Sequence, residues 1–171
     1  MKTYVITLSQ TFPAKHPKAG QATEFGNQVL NAVWRSHNMS VGFPQLGMKL
    51  HTIRENYNLW WKRFYQIQNG KACLSIRQWS GKPYHSKQIE VCKLTKADGI
   101  GLQKMYLTEM VNDGWTNHMY FSTEYEYGTS KIDGHQLAKN DGLTLEDWKP
   151  FFRKHNFAEP LAIIHFTPYR Y

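Results

Sequence analysis

The chain has 171 residues, of which 41% are hydrophobic and 15% aromatic, and it carries 21 Lys/Arg against 13 Asp/Glu for a net charge of +8. That length accommodates one domain with a real core, and the apolar and aromatic share excludes an intrinsically disordered polymer. No apolar run approaches the ~20 residues of a membrane-crossing helix.

Two cysteines, Cys73 and Cys92, are too few for a disulfide framework, and no Cys or His pair has zinc-ligand spacing. No metal or cofactor is therefore expected, and the expected compartment is the reducing cytoplasm. The charge is strongly segregated. Residues 1–108 hold 15 Lys/Arg against 4 Asp/Glu, whereas residues 109–147 hold 2 against 8. A basic half suits a polyanion, because each neutralised phosphate releases counterions, although such a surface can also serve solubility alone.

In chain order, Thr3 to Leu8 is apolar on both faces and reads as a central strand; its flanks lack a signal-peptide cleavage pattern. Residues 9–22, with Pro13, Pro17 and Gly20, read as a loop. Its Lys15, His16 and Lys18 are either a phosphate contact or plain solvated residues. Thr23 can cap a helix to about Trp34. Residues 39–46, with Gly42 and Pro44, lead into Gly47-Met48-Lys49-Leu50-His51-Thr52-Ile53-Arg54. Gly47 suits a tight turn, and Leu50 to Arg54 suits a short strand. Alternation places Thr52 and Arg54 on one face. Lys49 can join them only if it still belongs to the turn.

Asn56 is placed to cap a helix from Tyr57 to Gln68, with Leu59, Trp60, Phe64 and Ile67 on its apolar side. Trp61 and Tyr65 either widen that side or offer stacking surfaces. A hairpin follows Gly70, with strands at 71–79 and 84–94 and a turn at 80–83. A two-residue turn at Gly81-Lys82 would place Cys73 opposite Glu90, with the cysteines near each other but unpaired; a slip in the loop would align them. Arg77, Trp79, Lys82, Tyr84, His85 and Lys87 gather cations and aromatic rings at one end of this hairpin. Cations hold phosphates while rings stack on bases, as where single strands or flipped nucleotides bind. An ordinary polar tip whose Trp79 packs on the core edge is the alternative.

Residues 105–111 and 115–127 read as an inserted hairpin turning at Asn112-Asp113-Gly114. Asp133 to Lys139 reads as helix, Asp141-Gly142 as a loop, and Thr144 as the cap of a further helix irregular at Pro150. Leu161 to Phe166 reads as the closing strand.

The stretch Gly47, Lys49, Thr52, Arg54 resembles the G-x-K-x-x-[E/T]-x-R signature of the ASCH domains, a branch of the PUA-like superfamily. Residues 138–145 resemble that family's acidic helix-loop-helix segment, and Leu161–Phe166 its closing strand. The resemblance runs in order along the chain, with extra segments at 10–46 and 100–132. It implies an α+β fold in a single domain spanning 1–171: a mixed β-barrel of about six strands with flanking helices and an inserted hairpin.

The resemblance also implies a function. A PUA-like domain would bind RNA, a nucleotide or a modified nucleoside in a basic pocket; the expected contacts are Lys49, His51 and Arg54 of the signature stretch, joined by Arg77, Trp79, Lys82, Tyr84 and Lys87 of the hairpin. Within the group, the small bacterial amidohydrolases that deacetylate 4-acetylcytidine use a lysine and a threonine of the signature and a glutamate of the acidic loop. The resemblance carries these roles to Lys49, Thr52 and Asp141, whose side chain is one methylene shorter than glutamate. In such chemistry a lysine of lowered pKa frees the threonine hydroxyl for attack, and the carboxylic acid serves the leaving amine. A structural or protein-interaction role is the third possibility, favoured if residues 115–127 form an exposed apolar patch.

Overall fold

A computed structural model describes residues 1–38, 47–112, 117–125, 128–152, 155 and 158–171. The expected connection at 39–46, the turn at 113–114, and residues 115, 116, 126 and 127 of the expected second hairpin strand lie outside these. The described residues form an α+β fold of eight strands in two sheets with four helices. The elements run β1 (Lys2–Leu8), α1 (Phe25–Asn38), β2 (His51–Arg54), α2 (Tyr57–Gln68), β3 (Ala72–Trp79), β4 (Gln88–Leu94), a turn of 3-10 helix (Lys96–Asp98), β5 (Gly101–Asn112), β6 (Asn117–Tyr125), β7 (Gly128–Asp133), α3 (Gly134–Asn140), α4 (Leu145–Phe152) and β8 (Leu161–His165).

One sheet has the order β1-β3-β4 and the other β2-β8-β5-β6-β7. No closed barrel joins them among the described residues, so the expected ring of about six strands is replaced by two sheets sharing a core. Closure requires every edge to find a ladder partner. Here the Arg54 guanidinium reaches the Thr7 carbonyl at 3.0 Å, a side-chain contact between the edge strands β1 and β2.

The strand β8 is buried at all five positions, as the apolar run Leu161–Ile164 requires of a strand covered on both faces, with His165 buried at its end. Ala162 and Ile164 pack with Ile6, Leu8, Leu74 and Ile76 of the first sheet and with Phe25, Val29, Trp60, Phe64 and Ile67 of α1 and α2. Leu161 and Ile163 face the other way, into a second core of Ile53, Met105, Phe121, Ile132, Leu137, Trp148 and Phe152. The five-stranded sheet is thus a partition between two cores.

Several expectations change. The strand β1 lies at an edge and not in the centre, and Val5 is exposed; only Ile6 and Leu8 are buried. Its pairing with β3 is parallel, which demands a long crossover, here supplied by α1, β2 and α2. The segment β5–β6 does not lie over one side of a sheet: β5 pairs directly with β8 and carries the sheet outward through β6 to β7, a strand unforeseen in the sequence. A bulge between Ile76 and Arg77 and a tip spanning Ser80 to Lys87 shift the first hairpin, so Arg77 opposes Glu90 and Cys92 opposes Ile76. Cys73 lies instead beside Thr3, and both thiols are free.

Helix α2 follows its caps. Asn56 takes a left-handed conformation (φ 59°), and its side chain accepts from the Leu59 amide at 3.1 Å. Trp60, Phe64 and Ile67 face the core, whereas Leu59, Trp61 and Tyr65 are exposed, with the rings of Trp61 and Tyr65 stacked at 5.9 Å. Asn56→Ala removes the capping oxygen and strains the backbone, so it should cost about 1–2 kcal/mol in thermal unfolding. Asn56→Gly should cost less, because glycine keeps the left-handed angle.

Candidate functional site

Lys49 precedes β2 and escapes its alternation, which is the condition the sequence set for its meeting Thr52 and Arg54. Cross-strand pairing puts Thr52 opposite Ile164 and Arg54 opposite Ala162, on the face toward the first core. Lys49, Thr52 and Arg54 then line one cavity of about 270 Å³ with Asp141, Thr7, Leu8, Ser9, Phe25, Leu143, Phe151 and Phe152.

Asp141 arrives from the C-terminal end of α3, and Gly142 behind it takes φ +83°. A Cβ at Gly142 would stand 3.3 Å from Lys49 Cβ and 2.0 Å from Gln28 Oε1, so glycine permits both the turn and the close approach.

Lys49 and Asp141 are 2% and 3% exposed. The Lys49 ammonium donates to Asp141 Oδ1 and, at 2.5 Å, to the Asp141 backbone carbonyl. Trp148 Nε1 donates to Asp141 Oδ2 at 3.1 Å, and the ring of Phe25 faces the ammonium at 4.2 Å. Burial pushes the Lys49 pKa down, against the pull of the Asp141 charge. The same burial pushes the Asp141 carboxyl up, opposed by Lys49 and then by Arg54. Thr52 is buried on the cavity wall, and its hydroxyl has no hydrogen-bond partner among the described residues. The site therefore offers a desolvated ion pair, a partly buried guanidinium, a free hydroxyl and aromatic walls.

His51 is corrected as a ligand contact. It is fully buried on the opposite face of β2, across from His165, and its Nε2 lies 2.8 Å from the Tyr171 hydroxyl. Alternation separates it from Thr52 by construction. Arg77 does not line the cavity; its Nε donates to Ser75 Oγ at 2.9 Å, and Glu90 lies 3.9 Å from its guanidinium. Trp79, Lys82 and Tyr84 line a separate groove of about 640 Å³ with residues 7–14. Lys87 and His85 are exposed at the same tip but outside that lining.

The basic cluster in the first loop also changes role. His16 is buried, with Nε2 2.9 Å from the Asp147 carbonyl, and Lys18 pairs with the Asp147 carboxylate at 2.6 Å. The contributions of Phe25, Trp148 and Phe151 to the site were missed as site features. Their apolar spacing signalled burial but could not say which cavity they would enclose.

Among the described residues no group of His, Cys, Asp and Glu is arranged to hold a metal, and no helix is long and apolar enough to cross a membrane. Comparison with protein-family models, curated proteins and solved structures finds no match to this chain.

Proposed function

We propose that this is a PUA-like protein of the ASCH type that binds RNA, a nucleotide or a modified nucleoside, with one base entering the cavity between β2 and the Asp141 loop. The observation carrying this reading is the convergence of Lys49, Thr52, Arg54 and Asp141, distant in sequence, on one cavity of about 270 Å³. That volume lies near the lower end of small-molecule sites and suits a single ring system. Phe25 and Phe151 supply apolar walls, the Thr52 hydroxyl is open to a base edge, and Arg54 offers spare donors for phosphate. The two-sheet core, sealed by β8 and bridged by Arg54, is compatible with an opened PUA-like barrel. Free Cys73 and Cys92 suit a reducing cytoplasm.

Amide hydrolysis is the second reading, favoured by the lowered Lys49 pKa beside Thr52 in one cavity. Binding is preferred because a nucleophile and its base should share a hydrogen bond, whereas Lys49 is committed to Asp141. The structural role loses its motive in the described part of 115–127, where Phe121 is buried and Met119 and Tyr120 are half-buried.

The test is equilibrium binding of cytidine, 4-acetylcytidine, methylated nucleosides and their monophosphates, with each mixture also examined by mass spectrometry. Thr52→Val keeps the shape and should weaken binding by about tenfold, the worth of one hydrogen bond. Arg54→Met should weaken the monophosphates more than the nucleosides. Binding unaffected by both substitutions would remove the cavity from consideration, and release of acetate abolished by Thr52→Val would establish the hydrolase instead.

A further inference from the structure

The cavity is not isolated. Thr7, Leu8 and Ser9 line it on one side and on the other line the groove of about 640 Å³ that continues along residues 10–14 to Trp79, Gly81, Lys82, Pro83 and Tyr84. At the junction the Arg54 guanidinium lies on the Thr7 carbonyl at 3.0 Å. A ligand confined to one nucleoside has no use for this extension.

The far end of the groove holds two neighbouring rings, Trp79 half-buried and Tyr84 exposed. Trp79 and Tyr84 lie 5.3 Å apart at 51°, and Tyr84 is 87% exposed. Tyr84 also has φ 66°, a left-handed backbone that is an outlier for a bulky residue and persists where the surroundings impose it. Lys82 stands beside them with its side chain exposed.

The opposite wall is firmly held. Phe12 and Thr23 close a small loop through Phe12 N to Gln21 O at 2.9 Å and Thr23 N to Gln10 O at 3.0 Å. The ring of Phe12 lies 4.4 Å from that of His16, which is anchored to α4 through Asp147. An ordered wall facing one exposed ring, one half-buried ring and a cation offers the surfaces that base stacking and a phosphate contact use.

We propose that the groove receives the nucleotides flanking the base in the cavity, so that the ligand is a single-stranded polynucleotide. A neighbouring base stacks on Trp79 and Tyr84, Lys82 meets a phosphate, and Arg54 meets the phosphate linking the two sites. This rests on the nucleobase reading of the cavity and deepens it from a monomer to a strand.

Fluorescence anisotropy with labelled single-stranded RNA and DNA octamers, the matching RNA duplex and a labelled mononucleotide tests it. The single-stranded octamer should bind at least ten times more tightly than the mononucleotide and the duplex; the RNA and DNA arms show which sugar the groove carries. Tyr84→Ala, at an exposed ring, and Trp79→Ala, at a half-buried one, should each lower octamer affinity by fivefold or more and leave mononucleotide affinity unchanged. Equal affinity for octamer and mononucleotide, a duplex as tight as the single strand, or an octamer advantage that survives both substitutions would overturn the groove while leaving the cavity intact. If neither octamer nor mononucleotide binds, both readings fall together.

Discussion

Asp141→Ala should destabilise the protein by about 3–5 kcal/mol, because it strands a buried cation without its partner. Lys49 is 2% exposed, and among the described residues its ammonium pairs with no other carboxylate; its other contacts are the Asp141 carbonyl and the face of Phe25. Removing the carboxylate also leaves Trp148 Nε1 without its acceptor. The sign with pH follows from the burial that lowers the Lys49 pKa. In the variant the folded state holds Lys49 neutral more readily than the unfolded chain does, so the unfolded chain binds more protons below the ordinary lysine range. Stability then rises with pH, and the deficit should shrink as pH climbs toward ~10.4.

The double variant Lys49→Met, Asp141→Leu removes both charges and should recover most of the loss, since apolar replacement of a buried pair is often neutral or better. Urea unfolding of the wild type, both single variants and the double variant measures the coupling. A single-variant loss under ~1 kcal/mol would mean the pair is not desolvated as described.

Acid should weaken the fold through two buried histidines. His51 and His165 are both fully buried, and burial lowers the pKa of each well below 6.5; nearby positive charge adds to the effect, from Lys49 at His51 and from His51 and Arg170 at His165. Asp141 Oδ1 lies 3.9 Å from His51 Nδ1, too far for a hydrogen bond to the ring. The folded protein therefore holds both rings neutral, while the unfolded chain protonates them near pH 6.5. Their contribution is complete above that value and is lost as pH falls toward the depressed folded pKa values.

Each histidine held neutral in the folded state contributes a slope of up to about 1.4 kcal/mol per pH unit below about pH 6.5. His165→Phe should roughly halve this slope, and it sacrifices no hydrogen bond among the described residues because neither ring nitrogen has a partner there. Urea midpoints at about pH 7, 6 and 5 report the slope. A flat profile would show that the two rings accept protons in the folded state.

Local chemistry made much of the fold legible. The Asn56 cap and the 3.6-residue spacing of Trp60, Phe64 and Ile67 locate α2 closely, since a cap and an apolar face are encoded within one helical stretch. The run from Leu161 announced a strand, and its burial on both faces came with the two cores. By contrast, the edge position of β1 and the join of β5 to β8 were hidden, because strand pairing depends on partners far away in the chain and on registers shifted by a single bulge.

The candidate site divides in the same way. Its composition was fixed by the residues themselves: alternation sets Thr52 and Arg54 together and His51 apart, and Gly142 permits the turn beside Asp141. No local rule could bring Asp141 to Lys49 across 92 positions, bury the pair against Phe25 and Trp148, or run the cavity into the groove beneath Trp79 and Tyr84. Those contacts exist because two sheets and α4 pack around shared cores, and packing of distant surfaces sets which polar groups lose water and therefore which of them can act.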